Sequence, residues 1–300
     1  MSTETIFDRW KPHEQSTWVF QVFKSYDEEL EKNMWSFFPV QKSIYMNLKK
    51  QGATWDSMPS DFLPLSIKKS KLFEDLKTWS KHFNEFGNWT NLNILMAISS
   101  NFETYLDSIL SLAIQSDPGV IFGSSKSVDG VFLLKYGNYK NINIKEIVTN
   151  CVKGDWNSRW CNIKRIFPNI PNTIETKIKE LEFIRKLRND IGHAFGRDIE
   201  ESREFVLKQI LPSARLSTTR ASQLKYMVWG IAKEIDVYLL NNHIGEFQFF
   251  NMYHAMYPSL NKKVHINQRA MEFKKKIGNN KVSPTSKEIC KQIVSYYENL

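Results

Sequence analysis

Three residues in the segment 188–196, RNDIGHAFG, have the types and spacing that proton transfer at a phosphate requires. Histidine is the residue type that ordinarily titrates near neutral pH, so a ring at position 193 is suited to accept or donate a proton. Arg188 stays charged and presents a planar fork that matches a phosphate group. Asn189 lies one helical turn before His193 and can hold the imidazole in one tautomer. The segment therefore predicts an acid–base site that binds a phosphate.

RNA is a substrate that such a site can cleave, because RNA supplies its own nucleophile, the 2′-hydroxyl group. A general acid–base group and an anion stabiliser then suffice for internal attack on the adjacent phosphate. We accordingly expect catalysis with no metal and no cofactor. The six histidines and three cysteines show no pair at metal-ligand spacing, which agrees with that expectation.

The helix that must position these residues is predicted to begin after residues 171–173 and to end at Gly196, in a left-handed cap. Its other face carries small and polar residues, with Asn189, Gly192 and Gly196 among them, and small residues let a second backbone approach closely. We expect a homodimer in which a partner helix brings two copies of Arg188 and His193 into one cleft. The apolar stripe that faces the core consists of Ile174, Ile178, Leu181, Ile184, Leu187, Ile191 and Ala194.

Helices are predicted for most of the remaining chain. An aromatic-rich helix and a shorter one near 40–50 precede a loop over 51–66. A helix over 67–86 is followed by a second one, with an apolar stripe from Leu95 to Leu112, that Asp117-Pro118-Gly119 ends. After an irregular stretch over 119–142, further helices are expected at 143–153, 156–167 and 218–241. GVIF and GVFLL are strand-like but build no sheet, so the predicted class is all-α with antiparallel helices.

Composition and charge bound the class of protein. The 300 residues are 42% hydrophobic and carry a formal net charge of +9, which favours partners rich in phosphate. Three cysteines, no apolar leader at the N-terminus and no apolar run of membrane-spanning length predict a cytoplasmic protein that does not enter a membrane. Residues 261–300 hold eight lysines, one arginine and three glutamates, and we interpret them as a basic helical appendage.

The run FIRKLRNDIGHAFG resembles the R-x4-H motif of the HEPN superfamily, in which many members are metal-independent endoribonucleases. The resemblance implies an antiparallel helical bundle, which we place at 71–245. The helical region 1–70 and the basic helical region 246–300 lie outside the resemblance. It also implies a dimer with a composite site, products with 2′,3′-cyclic phosphate and 5′-hydroxyl ends, and a role as a toxin or antiphage defence protein. SNFETYLDSIL resembles the family's acidic helix, which would give Glu103 a place at the site. Some toxin members carry a modifiable Tyr where this chain has Phe195.

Other interpretations remain open. The chain could be a non-catalytic HEPN-like scaffold for RNA or protein, or an unrelated helical interaction domain in which Arg188 and His193 only complete a helix end. Glu103 could be an ordinary acidic residue on an exposed face. DPGVIFGSSKS is similar to a phosphate loop, but its glycine spacing is one residue short. A regulatory partner or activator would act at residues 119–142 or at the terminal regions.

Overall fold

Helices form every regular element in the computed structural model, which describes residues 7–194, 196–198, 211–279 and 285–300. Those ranges contain no strand, so the predicted all-α class is confirmed. Short 3₁₀ and π turns connect some of the helices. The α-helices are α1 (Trp18–Lys50), α2 (Ile67–Ser70), α3 (Leu76–Ser116), α4 (Gly130–Tyr136), α5 (Ile144–Val152), α6 (Trp156–Ile166), α7 (Thr173–Thr176), α8 (Ile178–Ala194), α9 (Thr218–Leu239), α10 (Phe247–Met256), α11 (Ile266–Asn279) and α12 (Lys287–Asn299).

Two of the helices are longer than the sequence predicted. The aromatic-rich helix and the shorter one near 40–50 form a single helix, α1, that continues through Pro39. The helices expected at 67–86 and from Leu95 form one helix of 41 residues, α3, preceded by the four-residue α2. Each helix contains a residue that weakens helical structure, Pro39 in α1 and Gly87 in α3. Burial of the flanking apolar side chains outweighs that preference.

The other helix boundaries agree closely with the sequence. Asp117 ends α3 as expected, and α5, α6 and α9 lie within one or two residues of their predicted spans. The strand-like runs are helical, since GVIF belongs to a 3₁₀ turn and GVFLL begins α4. The predicted motif helix is divided in two, because the short α7 precedes α8.

The chain forms two compact units, and each is built from distant parts of the sequence. The first unit contains Met1–Phe23, Phe102–Ile178 and Trp229–Leu300. The second unit contains Lys24–Asn101 and Lys179–Val228. The motif helix α8 belongs to the second unit from Lys179 onward.

The basic C-terminal helices contribute to the core of the first unit. The ring of Tyr253 on α10 lies 5.2 Å from the ring of Phe273 on α11 and 5.3 Å from that of Tyr297 on α12. All three rings are almost fully buried. The interpretation of residues 261–300 as an appendage is therefore wrong, because α11 and α12 turn their lysines outward and their apolar faces into a shared core.

A buried charge cluster joins α1 to α9 in the second unit. The ammonium group of Lys225, 2% exposed, lies 2.8 Å from a carboxylate oxygen of Asp27 and 2.5 Å from one of Glu31. A buried ammonium needs this compensation, because desolvation of an unpaired charge is expensive.

Candidate functional site

The motif helix α8 buries one face and leaves the catalytic candidates on the other. Leu181, Ile184, Leu187 and Ile191 are buried at steps of three and four, as the apolar stripe predicted. Arg188 and Asn189 are half-buried, and His193 is exposed in the last turn. This placement gives the imidazole access to solvent and to a large substrate.

A glycine cap follows the motif helix three residues after His193. Gly196 has φ +77°, and its N–H donates to the carbonyl of Asp190 at 2.9 Å. Only glycine adopts such a φ without steric strain, so the left-handed cap expected from the sequence is present. Phe195, the position that corresponds to the modifiable tyrosine, lies outside the described residues.

Two buried asparagines on α3 hold the chain that follows the motif. The side-chain amide of Asn88 donates to the carbonyl of Ala214 at 2.8 Å and accepts from the N–H of Leu216 at 2.9 Å. Asn91 donates to the carbonyl of Leu216 at 2.8 Å. Ala214 in turn donates to the carbonyl of Gly196 at 2.7 Å, so this segment ties the end of α8 to α3. The sequence analysis did not identify this role for either asparagine.

Arg188 and Asn189 are joined by a hydrogen bond. A guanidinium nitrogen of Arg188 donates to Asn189 Oδ1 at 3.3 Å. The predicted role of Asn189 in orienting His193, four residues on, stays a prediction. Because its carbonyl oxygen accepts from Arg188, its amide nitrogen is the group on the side chain suited to donate to a ring nitrogen or a ligand oxygen.

A second titratable group lies near His193 on the same helix. Asp190 precedes His193 by three residues, a spacing that places the two side chains side by side. Burial, and after it the negative charge of Asp198, raise the pKa of the Asp190 carboxyl. An acid therefore influences Asp190, although Lys186 lies one helical turn before it in the sequence. A carboxyl with a raised pKa is suited to proton exchange.

Glu103 is engaged in an ion pair within the first unit. Its carboxylate accepts from the guanidinium of Arg159 at 3.1 Å. Arg159 is 5% exposed, donates also to the carbonyl of Gly154 at 2.9 Å and lies over the ring of Trp156. This ion pair neutralises the charge of a buried arginine, which is a structural role. The predicted place of Glu103 at the motif stays a prediction.

In the loop that is similar to a phosphate loop, the first residue, Asp117, accepts hydrogen bonds from other residues of the loop. Asp117 accepts from Ser125 Oγ at 2.6 Å, from the N–H of Lys126 at 2.7 Å and from His243 Nδ1 at 2.9 Å. Burial alone would raise the pKa of Asp117, but these hydrogen bonds outweigh burial and lower it. A carboxylate thus occupies the position of an anion in this loop. The sequence analysis missed the Asp117–His243 pair because 126 positions separate the two residues.

Metal ligands do not cluster in the part of the chain that the structure describes. No group of three or more His, Cys, Asp or Glu side chains there is arranged to hold an ion. Nor does any helix in the described ranges have the length and apolarity that crossing a membrane requires. Comparison with known protein families, with curated proteins and with solved structures finds no match to this chain.

Proposed function

We propose that this chain is a metal-independent endoribonuclease of the HEPN type that acts as a homodimer. The observation that carries the proposal is the end of α8, where the glycine cap leaves His193 exposed one turn after the hydrogen-bonded Arg188 and Asn189. This arrangement supplies a proton carrier and a phosphate-binding fork at the two edges of the polar face that contains Asn189 and Gly192.

The proposed reaction needs no group beyond those of the two partners and the RNA. His193 accepts the proton of the 2′-hydroxyl, and the oxygen attacks the adjacent phosphorus. Arg188 stabilises the negative charge that develops on the phosphoryl oxygens. The P–O bond to the 5′ oxygen breaks, and a second acid, Asp190 of the same chain or His193 of the other copy, returns a proton to the leaving oxygen. The products are a 2′,3′-cyclic phosphate and a 5′-hydroxyl end, and such a cleavage suits a toxin or an antiphage effector.

A purified-protein assay tests this proposal. Total cellular RNA is incubated with the parent and with His193→Ala in EDTA, and fragment ends are analysed. We expect cleavage by the parent with cyclic phosphate ends, and a rate at least about 100-fold lower for His193→Ala, the range for loss of a general acid–base group. His82→Ala, another exposed histidine of the second unit, is the matched control and should keep full activity. Equal cleavage by parent and His193→Ala would refute the assignment.

A non-catalytic HEPN-like scaffold for RNA or protein is the second candidate function. It is favoured by the engagement of Glu103 with Arg159, because that carboxylate is then committed to charge neutralisation. The two candidates differ in a single readout: a scaffold retains RNA or a protein partner but leaves RNA intact in the assay above. Toxicity on expression that disappears in both Arg188→Ala and His193→Ala would favour the nuclease.

A further inference from the structure

A pocket of about 310 Å³ in the second unit is lined by three aromatic rings. Tyr45, Trp55 and Trp79 contribute the rings, and the buried side chains of Leu48 and Leu76 complete the apolar lining. Trp55 is 59% exposed, so a large part of its indole is accessible to a ligand. The pocket is at the small end of the range for ligand sites, a size that suits one flat ring system.

Hydrogen bonds and ring contacts hold the walls of the pocket. The carbonyl of Trp55 accepts from the N–H of Lys77 at 3.1 Å. Trp79 is stacked on Phe83 with ring centroids 4.8 Å apart and an interplanar angle of 14°. The hydroxyl of Tyr45 is hydrogen-bonded to Ser80 at 2.9 Å. Because these walls are already ordered, a ligand that enters loses little free energy to immobilising them.

The lysine in the pocket and the charge of the sequence around the lining residues point to the class of ligand. Aromatic pockets bind either flat π systems or organic cations. Lys49 lines this one, and residues 42–81 contain eight lysines against four acidic residues. That excess repels a cation and attracts a polyanion. A flat ring attached to a negatively charged chain satisfies both the aromatic walls and the lysines.

We propose that this pocket binds an unpaired base of single-stranded RNA, which stacks on Trp55 while Lys49 contacts the adjacent phosphate. The inference rests on the proposed function in taking RNA as the ligand, and the pocket lies in the same compact unit as Arg188 and His193. Double-stranded RNA is excluded, because its bases are stacked inside the duplex and cannot enter a pocket. The pocket thus gives the nuclease a preference for single-stranded substrates.

RNA binding without cleavage is the appropriate measurement. A fluorescein-labelled single-stranded RNA of about 12 nucleotides is titrated with His193→Ala protein in EDTA, and anisotropy gives the Kd. In that background we expect Trp55→Ala to weaken binding about tenfold, the loss typical of one stacked base, and Trp55→Phe to restore most of the affinity. Lys49→Gln should weaken binding and reduce the salt dependence by about one counterion.

Trp35→Ala is the matched control, since Trp35 is 63% exposed on α1 of the same unit and does not line the pocket. We expect it to bind RNA like the background protein, and duplex RNA of the same sequence to be insensitive to Trp55→Ala. Equal losses for the Trp35 and Trp55 variants, or equal losses for duplex and single strand, would overturn the inference. The same holds if the protein binds no RNA, which would leave the pocket to a protein segment.

The pocket and the nuclease can fail separately. If the parent cleaves RNA but Trp55→Ala does not change the RNA affinity, the proposal for the pocket is overturned and the proposed function is supported. A protein that binds single strands through Trp55 but leaves them intact would support the pocket and overturn the nuclease.

Discussion

Asp236 is a carboxyl group that the fold of the first unit buries almost completely. It is 1% exposed and accepts from the N–H of Thr17 at 3.1 Å as well as from its hydroxyl group. Burial outweighs these hydrogen bonds and raises the pKa of Asp236 from its ordinary value of 3.8 to about 6. The folded protein therefore favours the protonated carboxyl, which is the reverse of the usual case for a paired aspartate.

Stability should consequently fall as the pH rises from about 4 to about 6, where the unfolded chain ionises Asp236 and the folded chain does not. The difference between the two pKa values corresponds to about 3 kcal/mol, which is fully lost above pH 6. Asp236→Asn keeps a hydrogen-bonding side chain for Thr17 without the charge. We expect its advantage over the parent in unfolding free energy to grow by about 2 kcal/mol between pH 4 and pH 7 in urea titrations. Parallel curves for parent and variant would contradict this assignment.

The role of a residue can be predicted from the sequence when its partners are close to it in the chain. Arg188, Asn189 and His193 lie within two helical turns, so their places in and beside the polar face follow from helix periodicity alone. Asn88 and Asp117 each bind residues more than 120 positions away. Nothing in the local pattern reveals such partners, because they become neighbours only after the helices pack.

At the scale of the element, helix lengths also depend on contacts that the local sequence does not reveal. Pro39 predicts an interruption, since proline removes a backbone donor. The structure nevertheless continues α1 because Met34, Phe38 and Leu48, on both sides of the proline, are buried. Sharp stops were predicted correctly where several signals coincide, as at Asp117-Pro118-Gly119. The burial of apolar side chains in the tertiary structure outweighs a single residue of low helix propensity. The sequence alone does not give the free energy of that burial.

The two glycines at the end of α8 allow a paired test of the cap. Gly196 has φ +77°, and an added Cβ would lie 2.8 Å from Leu92 Cδ1. Gly192 is helical with open space around its Cβ position. We expect Gly196→Ala to destabilise the protein by about 1–2 kcal/mol through left-handed strain, and Gly192→Ala to stabilise it by about 0.5–1 kcal/mol through helix propensity. Denaturant unfolding measures both, and a change of the same sign for the two variants would contradict the cap.

At the scale of the whole molecule, the proposed reaction requires more groups than one exposed motif supplies. One copy of His193 can take the proton of the 2′-hydroxyl, but the leaving oxygen needs an acid at the same time. Asp190, with its raised pKa, is the nearest candidate in sequence, and a second copy of the motif is the other. Gly192 is exposed and its Cβ position is open, so the surface of α8 next to His193 has room for a partner helix.

Mixed dimers distinguish these two arrangements. The parent and His193→Ala are co-expressed in equal amounts with different tags, and RNA cleavage is measured per molecule of total protein. A composite site needs both histidines, so only parent–parent dimers are active and about one quarter of the parent activity remains. A site contained in one chain, in which Asp190 serves as the acid, leaves about one half. We expect the lower value, with Asp190→Asn retaining most of the cleavage. If activity falls in proportion to the parent fraction and Asp190→Asn is inactive, the acid belongs to the same chain and dimerisation has no part in the chemistry.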